Sequence, residues 1–313
     1  MTRVCALAGG VGAAKMLRGV MRAVRPTDVT AVVNTGDDVV LHGLHISPDL
    51  DTITYTLAEA INPETGWGLA GESWQAMTAL DRYRGLTWFR LGDKDLATHL
   101  YRTQRLRDGA SLADVTAEIT QAWDIDVRVI PVTEDRLETR VTVDGEGEIG
   151  FQEYFVGRQH NVTVTDVRFA GAEEAHPTPG VLAALADADV VLICPSNPIV
   201  SIGPVLAVPG VRAAVEARRA DAVAVSPIVA GTALKGPADR MLRELGHDAS
   251  VVGVARLYRD LAATLVIDEA DRDLAPAVED AGMRCVVAPT IMHDADAAAA
   301  LARVCLDAAS SPA

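Results

Sequence analysis

Two carboxylates stand two positions apart in "HISPDLDTITYTLAEAI" (residues 45–61), where Ser47-Pro48 leads into Asp49, Leu50 and Asp51. The residues after Asp51 have helical periodicity, so both acids fall at or just before a helix start. One Asp at such a position serves as an N-cap. Two within three residues, in a loop between apolar elements, fit a hard divalent cation better. Magnesium takes one or two carboxylates and fills its shell with water and substrate phosphate oxygens. His42 and His45 lie three apart just upstream, but no third or fourth ligand stands at zinc-like spacing. "RLGDKDLATHL" (90–100) brings Arg90, Asp93, Lys94 and Asp95 to another loop-to-helix junction. There Asp93 or Asp95 can cap, and Lys94 and Arg90 can hold a phosphate or a ring carbonyl.

"ALAGGVGAAKMLRGV" (6–20) supplies a second chemistry. Gly9, Gly10 and Gly12 follow an apolar strand-like run and precede a helix, so backbone N–H groups and the positive helix end face a common point. The residues depart from both familiar phosphate loops. Lys15 follows Ala14 and precedes Met16, so the GxxxxGK[ST] pattern and its magnesium-ligating hydroxyl are missing. The third glycine of GxGxxG is missing too, and the second strand ends in Asn34, with Asp37 and Asp38 past the turn. A P-loop NTPase and a nicotinamide-dependent dehydrogenase both lose ground, and a generic anion cradle remains.

These residues need a sheet to position them. Seven apolar runs alternate with helical patterns: 4–9, 28–34, 126–132, 188–195, 220–227, 263–269 and 283–289. Continuous apolar character suits strands buried on both faces of a parallel sheet. Polar residues punctuate the strand ends: Asn34 to Asp38, Ser196, Asn197 and Ser201, and Ser226. In open parallel sheets ligands sit beyond those ends, which favours a nucleotide-like ligand. "SLADVTAEITQAW" (111–123) opens with Ser111 and Asp114 at capping-box spacing. Between about 134 and 169, "RLETRVTVDGEGEIGFQEYFV" alternates around "DGEG" and predicts an antiparallel hairpin excursion from the sheet. "DAASSPA" (307–313) reads as a frayed tail.

The 313 residues carry 43 acidic and 28 basic side chains, a net charge of −15. That balance argues against nucleic acid or an anionic membrane as partner. Only Lys15, Lys94 and Lys235 are lysines. The four cysteines show no CxxC spacing, and Cys5 and Cys194 fall in strands as buried, inert thiols. With no membrane span or signal peptide in sight, the expectation is a soluble cytoplasmic protein.

Taken in order, "GGVGAAK", "VVNTGDD", "ISPDLDT", "LGDKDLATH", "RDGASL", "PSNPIVSIGP" and "AVSPIVAG…KGPADRM" resemble the 2-phospho-L-lactate transferase family, from residue 7 to about 270. "SPDLDT" and "PSNPxxSIGP" are its specific signatures. The resemblance implies an α/β fold, a Rossmann-like three-layer α/β/α sandwich, as one domain over 1–313 with an inserted helical and hairpin region at about 62–169. It implies a magnesium-dependent phosphotransferase, an enzyme of the EC 2.7.8 type, in coenzyme F-420 biosynthesis. A guanosine diphosphate donor bearing phosphoenolpyruvate or 2-phospho-L-lactate would be attacked by the terminal ribityl hydroxyl of the deazaflavin Fo, releasing GMP. The composition tilts toward the phosphoenolpyruvyl donor. By motif position, Asp49 and Asp51 would hold magnesium and one would help deprotonate Fo. Gly9, Gly10 and Gly12 would cradle phosphate; Asn34, Ser196 and Asn197 would meet the guanosine side, Lys94 the Fo side, and Asp37 would be a further residue of the substrate-binding site. A homodimer is implied as well. Val11 and Ala14 stand where many relatives carry Thr or Pro, which leaves the role of Lys15 open. A nucleotide-sensing regulatory protein of the related gluconeogenesis-factor type shares the glycine turn and an "NTGDD"-like segment, whereas "SPDLDT" with "GDKDLATH" favours the transferase.

Overall fold

A computed structural model describes residues 2–310. All seven predicted strands form, and all belong to one sheet. They are β1 (Val4–Ala8), β2 (Val29–Val33), β3 (Arg128–Pro131), β4 (Val190–Ile193), β5 (Ala222–Val225), β6 (Thr264–Ile267) and β7 (Arg284–Val287). Every pairing is parallel, with Leu7 beside Val32 on one flank and Ile193 on the other. The order across the sheet is β7-β6-β5-β4-β1-β2-β3, so the winding reverses between β4 and β1. The carboxyl ends of the strands share one edge, and the reversal opens a crevice there.

The apolar runs are continuous because both faces are covered. Cys5, Leu7, Val32, Ile193 and Ala224 pack in one core, under helices that include Val211–Glu216 and Val251–Tyr258. Val4, Ala6, Ala8, Val33 and Val225 pack in the other. Over that second face lie α1 (Gly10–Ala23), α2 (Pro48–Leu57) and α3 (Ala295–Ser310). Gly19 lets α1 approach α3 so closely that a Cβ there would run into the Ala298 carbonyl. The architecture is a three-layer α/β/α sandwich. Ser111 caps Leu112–Ala122 by accepting from the Asp114 N–H at 3.0 Å, as its spacing predicts.

Four features differ from expectation. Glu138–Val143 and Gly147–Gly150 do pair around the "DGEG" turn, but with Val164–Ala170 they make a separate three-stranded antiparallel sheet. The alternation stops at Gly150, and Glu153–Gly157 coils into a π-helix that stacks Phe151 on Phe155. A second hairpin, Val39–Leu41 with Leu44–Ile46, turns through His42 and Gly43, both at positive φ. Histidine replaces the usual Asn of such a turn, which hides it from sequence. Residues 307–310 continue α3 instead of fraying; 311–313 lie outside the described residues. The edge strand β3 falls inside the interval 62–169 and divides it, leaving helical segments before it and the small sheet after it. Cys5, Cys194 and Cys305 are buried free thiols, and burial pushes Cys5 up to about 12. No helix among the described residues is long and apolar enough to cross a membrane.

Candidate active site

A cavity of about 590 Å³ opens at the switch point, between the ends of β1 and β4. Gly9, Gly10 and Gly12 line it from the β1–α1 turn, Ser196 and Asn197 from the turn after β4, and Asp37, Asp49 and Asp51 from the turn after β2 and from α2. Aromatic and aliphatic side chains, among them Trp67, Phe89, Phe151 and Phe155, close much of the remaining wall.

Helix α2 explains the acids. Pro48 opens it, and Asp49 and Asp51 sit within its first turn, where the helix dipole favours negative charge. Ser47 takes the cap position, so neither Asp is the cap. Every residue from Asp49 to Leu57 is buried, with Leu50 and Ile53 joining the core above the sheet. Residues two apart on a helix face different ways, and the two carboxylates accordingly meet different partners.

Asp49 turns toward β1 and β2. Its Oδ2 accepts from the Asn34 side-chain amide at 2.9 Å, and the Gly10 N–H donates to it as well. Burial pushes its carboxyl up to about 7, against those hydrogen bonds and with the Asp38 charge adding to the rise. Burial raises Asp37 well above the usual carboxylate range, reinforced by the neighbouring Asp49. Asp38 is raised by burial too, although His45 Nε2 lies 3.0 Å away and the Ser47 hydroxyl donates to it at 2.7 Å. One oxygen each of Asp37 and Asp38 is buried with no hydrogen-bond partner.

Asp51 turns instead to Arg102, on the helix Asp95–Arg107. That guanidinium is 2 % exposed and grips both carboxylate oxygens, with Nη1 at 3.1 Å and Nη2 closer. His99 lies one turn earlier, its Nδ1 3.7 Å from Asp51 and its Nε2 3.2 Å from Asp95. Tyr55 donates to Asp95 at 2.6 Å. Burial pushes Asp95 up, but His99, Tyr55 and Arg102 outweigh it and hold the carboxyl below its ordinary value. Asp51, Asp95 and His99 each offer a ligand atom within 4.8 Å of the others. This second network escapes sequence reading because its partners come from a helix some 50 residues away. One signal existed: Asp95, His99 and Arg102 follow i, i+4, i+7 spacing on one helix face.

The glycine turn has two duties. Gly10 takes a positive φ and gives its N–H to Asp49; Gly12 has no room for a side chain, since a Cβ would collide with the Pro195 carbonyl. Ser196 donates to the Gly9 carbonyl at 2.8 Å and ties the two turns together. Asn197 Oδ1 accepts from the Ile199 N–H and shapes the turn after β4. Asn34 and Lys94 are absent from the cavity lining. Asn34 is fully buried behind it as the support for Asp49, and Lys94 donates its ammonium to the Ala70 carbonyl at 2.9 Å. Asp93 caps a different helix from the one expected, accepting from the Gln75 and Ala76 N–H groups at the start of Gln75–Asp81. His42 sits exposed in its hairpin turn while His45 pairs with Asp38, so the two form no common site.

The family model described as 2-phospho-L-lactate transferase CofD matches residues 4–300. A protein named phosphoenolpyruvate transferase from Kitasatospora aureofaciens is 46 % identical over 310 residues, covering 97 % of each chain. One of the same name from Streptomyces griseus is 44 % identical and covers 98 % of each. A solved structure of a UPF0052 family protein from Bacillus halodurans superposes with a TM-score of 0.63 at 14 % identity, over 97 % of this chain and 98 % of that one. At that identity the superposition speaks for the fold alone.

Proposed function

The chain belongs to the 2-phospho-L-lactate transferase family, and from that premise we propose that it transfers a phosphoenolpyruvyl group from a guanosine diphosphate donor to the terminal ribityl hydroxyl of Fo, releasing GMP, in coenzyme F-420 biosynthesis. The enolpyruvyl choice rests on the name carried by the relatives in Kitasatospora and Streptomyces. One observation carries the reading: the switch-point cavity joins a glycine turn suited to phosphate with two buried carboxylates, Asp37 and Asp49, that form no ion pair among the described residues.

In the proposed step the Fo hydroxyl oxygen attacks the phosphorus that bears the acid. The bond from that phosphorus to the GMP oxygen breaks, and the hydroxyl proton passes to a carboxylate. Such a reaction needs alignment and electrostatic stabilisation more than covalent catalysis. Asp49 is the base we assign. In the metal-free fold burial lifts its carboxyl to about 7; a cation held beside it would favour the ionised form, which is the form that accepts the proton. Asn34 and the Gly10 N–H fix its orientation. The α1 N-terminus and the β4 turn would hold the phosphates and the guanosine side, and the aromatic wall would face the rest of the substrates.

The all-oxygen donors of this region fit magnesium. Asp37 carries a buried oxygen without a partner and stands beside Asp49, so these two would hold the ion. When bound, magnesium supplies positive charge to the pyrophosphate oxygens. Asp51, expected as a second ligand, is gripped by Arg102 and would serve the site through the Asp95–His99 network. Lys94 would reach Fo only by leaving Ala70. The homodimer belongs to the same proposal and is read by light scattering.

Purified protein is incubated with Fo, magnesium and either the enolpyruvyl or the lactyl donor, and GMP and the deazaflavin product are followed by mass spectrometry. Product with the enolpyruvyl donor is expected. Product only with the lactyl donor would correct the acid, and no product with either would overturn the transfer.

A further inference from the structure

Two of the three lysines in the chain, Lys15 and Lys235, line this cavity. Lys15 belongs to α1, and its ammonium donates to the Met292 carbonyl at 3.3 Å. Lys235 comes just after the small hairpin Ile228–Val229 with Thr232–Ala233, and its ammonium donates to the Thr65 carbonyl. Neither has a carboxylate partner among the described residues, in a protein whose acids outnumber its bases by 43 to 28. Lys235 reaches across Gly66, where an added Cβ would run into its ammonium and would lie 3.5 Å from Val11 in the first turn of α1. Burial, and then the charge of Lys15, hold Lys235 below its ordinary value. Two cations that repel each other inside one cavity, satisfied only by carbonyls, lack an anion.

We propose that Lys15 and Lys235 form an anion-binding pair that takes carboxylate or phosphate oxygens of the donor. The proposal rests on the transferase reading for the donor's identity, while the pair itself rests on two cavity-lining ammonium groups that hold carbonyls and no carboxylate. Two sources share the chemistry: the carboxylate of the transferred three-carbon acid and the phosphates of the nucleotide.

The test uses the full chain and its K15M, K235M and K15M/K235M variants. GDP is titrated calorimetrically, guanosine is the uncharged control, and steady-state kinetics with the enolpyruvyl donor and Fo run in parallel. The double variant is expected to lose about 30-fold or more in one readout, the scale of two charge-assisted contacts, with guanosine affinity and Tm unchanged. Loss of GDP affinity assigns the pair to the phosphates. Unchanged GDP affinity with a raised donor KM assigns it to the carboxylate. GDP affinity and donor KM both within about threefold of the parent would overturn the pair, as would an equal loss of guanosine affinity, or a parent that binds neither GDP nor donor. A parent that forms no product while GDP affinity still depends on the lysines would retract the transfer and leave the pair standing.

Discussion

The carboxylates and the lysines of the cavity carry opposite charge and are held in opposite ways. Asp49 and Asp51 are buried on a helix, fixed by Asn34, the Gly10 N–H and a buried guanidinium. Lys15 and Lys235 extend from their backbones on flexible stems and touch only carbonyl oxygens. Desolvating a carboxylate is costly, so each buried acid needs several donors to hold it. A lysine can bury its stem and leave its head available. The acids are therefore held in place by the fold, whereas the two lysines have no carboxylate partner among the described residues.

Breaking the acidic side gives the largest effect. Asp49→Asn is expected to lower kcat by about 10³-fold, the scale of removing a positioned base and its charge, with circular dichroism unchanged. A loss under tenfold would remove Asp49 from the chemistry. Arg102→Met leaves Asp51 buried without its cation and should cost about 3–5 kcal/mol in urea denaturation, with much of it recovered in Arg102→Met/Asp51→Asn. Equal stability of the parent and the single variant would mean that Asp51 does not depend on Arg102.

The pH dependence sharpens the same contrast. The carboxyl of Asp49 titrates at about 7 in the fold against 3.8 when exposed, so the folded state holds its proton longer. Through this group metal-free stability should then fall as pH rises from about 4 to about 7, by about 2–4 kcal/mol, and the raised Asp37 adds to the fall. Thermal melts of the metal-free protein read this directly. Asp49→Asn should lessen the fall and leave the part that the buried Asp37 and Asp38 carboxyls contribute, and magnesium should restore stability at pH 8. A flat parent curve would contradict the raised carboxyl.

Gly12→Ala drives a methyl into the Pro195 carbonyl and should cost about 1–3 kcal/mol, with weaker GDP binding as α1 shifts. The smallest stability effect belongs to Lys94→Ala, at most about 0.5 kcal/mol, because its ammonium holds a single exposed carbonyl. A raised KM for Fo in that variant would place Lys94 on the acceptor side.

Much of the site was legible because chain-adjacent residues build it. The glycine turn, the "SPDLDT" acids and the turn after β4 each follow a strand or open a helix, and parallel strands bring such positions to one edge. The roles were less legible. Asn34, expected as a ligand contact, is fully buried and donates to Asp49, a placement that depends on packing from other segments. Lys235 was not legible as a cavity residue, because nothing near it in the chain marks it; Thr65 and Lys15 come from distant segments.

Periodicity determined the seven strands and a parallel sheet covered by helices, because it depends on neighbours in the chain and on which faces must leave water, while the three-layer class came with the family resemblance. Only the tertiary structure decided which way Asp49 and Asp51 face, which cation neutralises Asp51 and which lysines line the cavity. Those outcomes depend on side chains 50 to 220 residues apart meeting in one cavity, where burial and proximity set each charge.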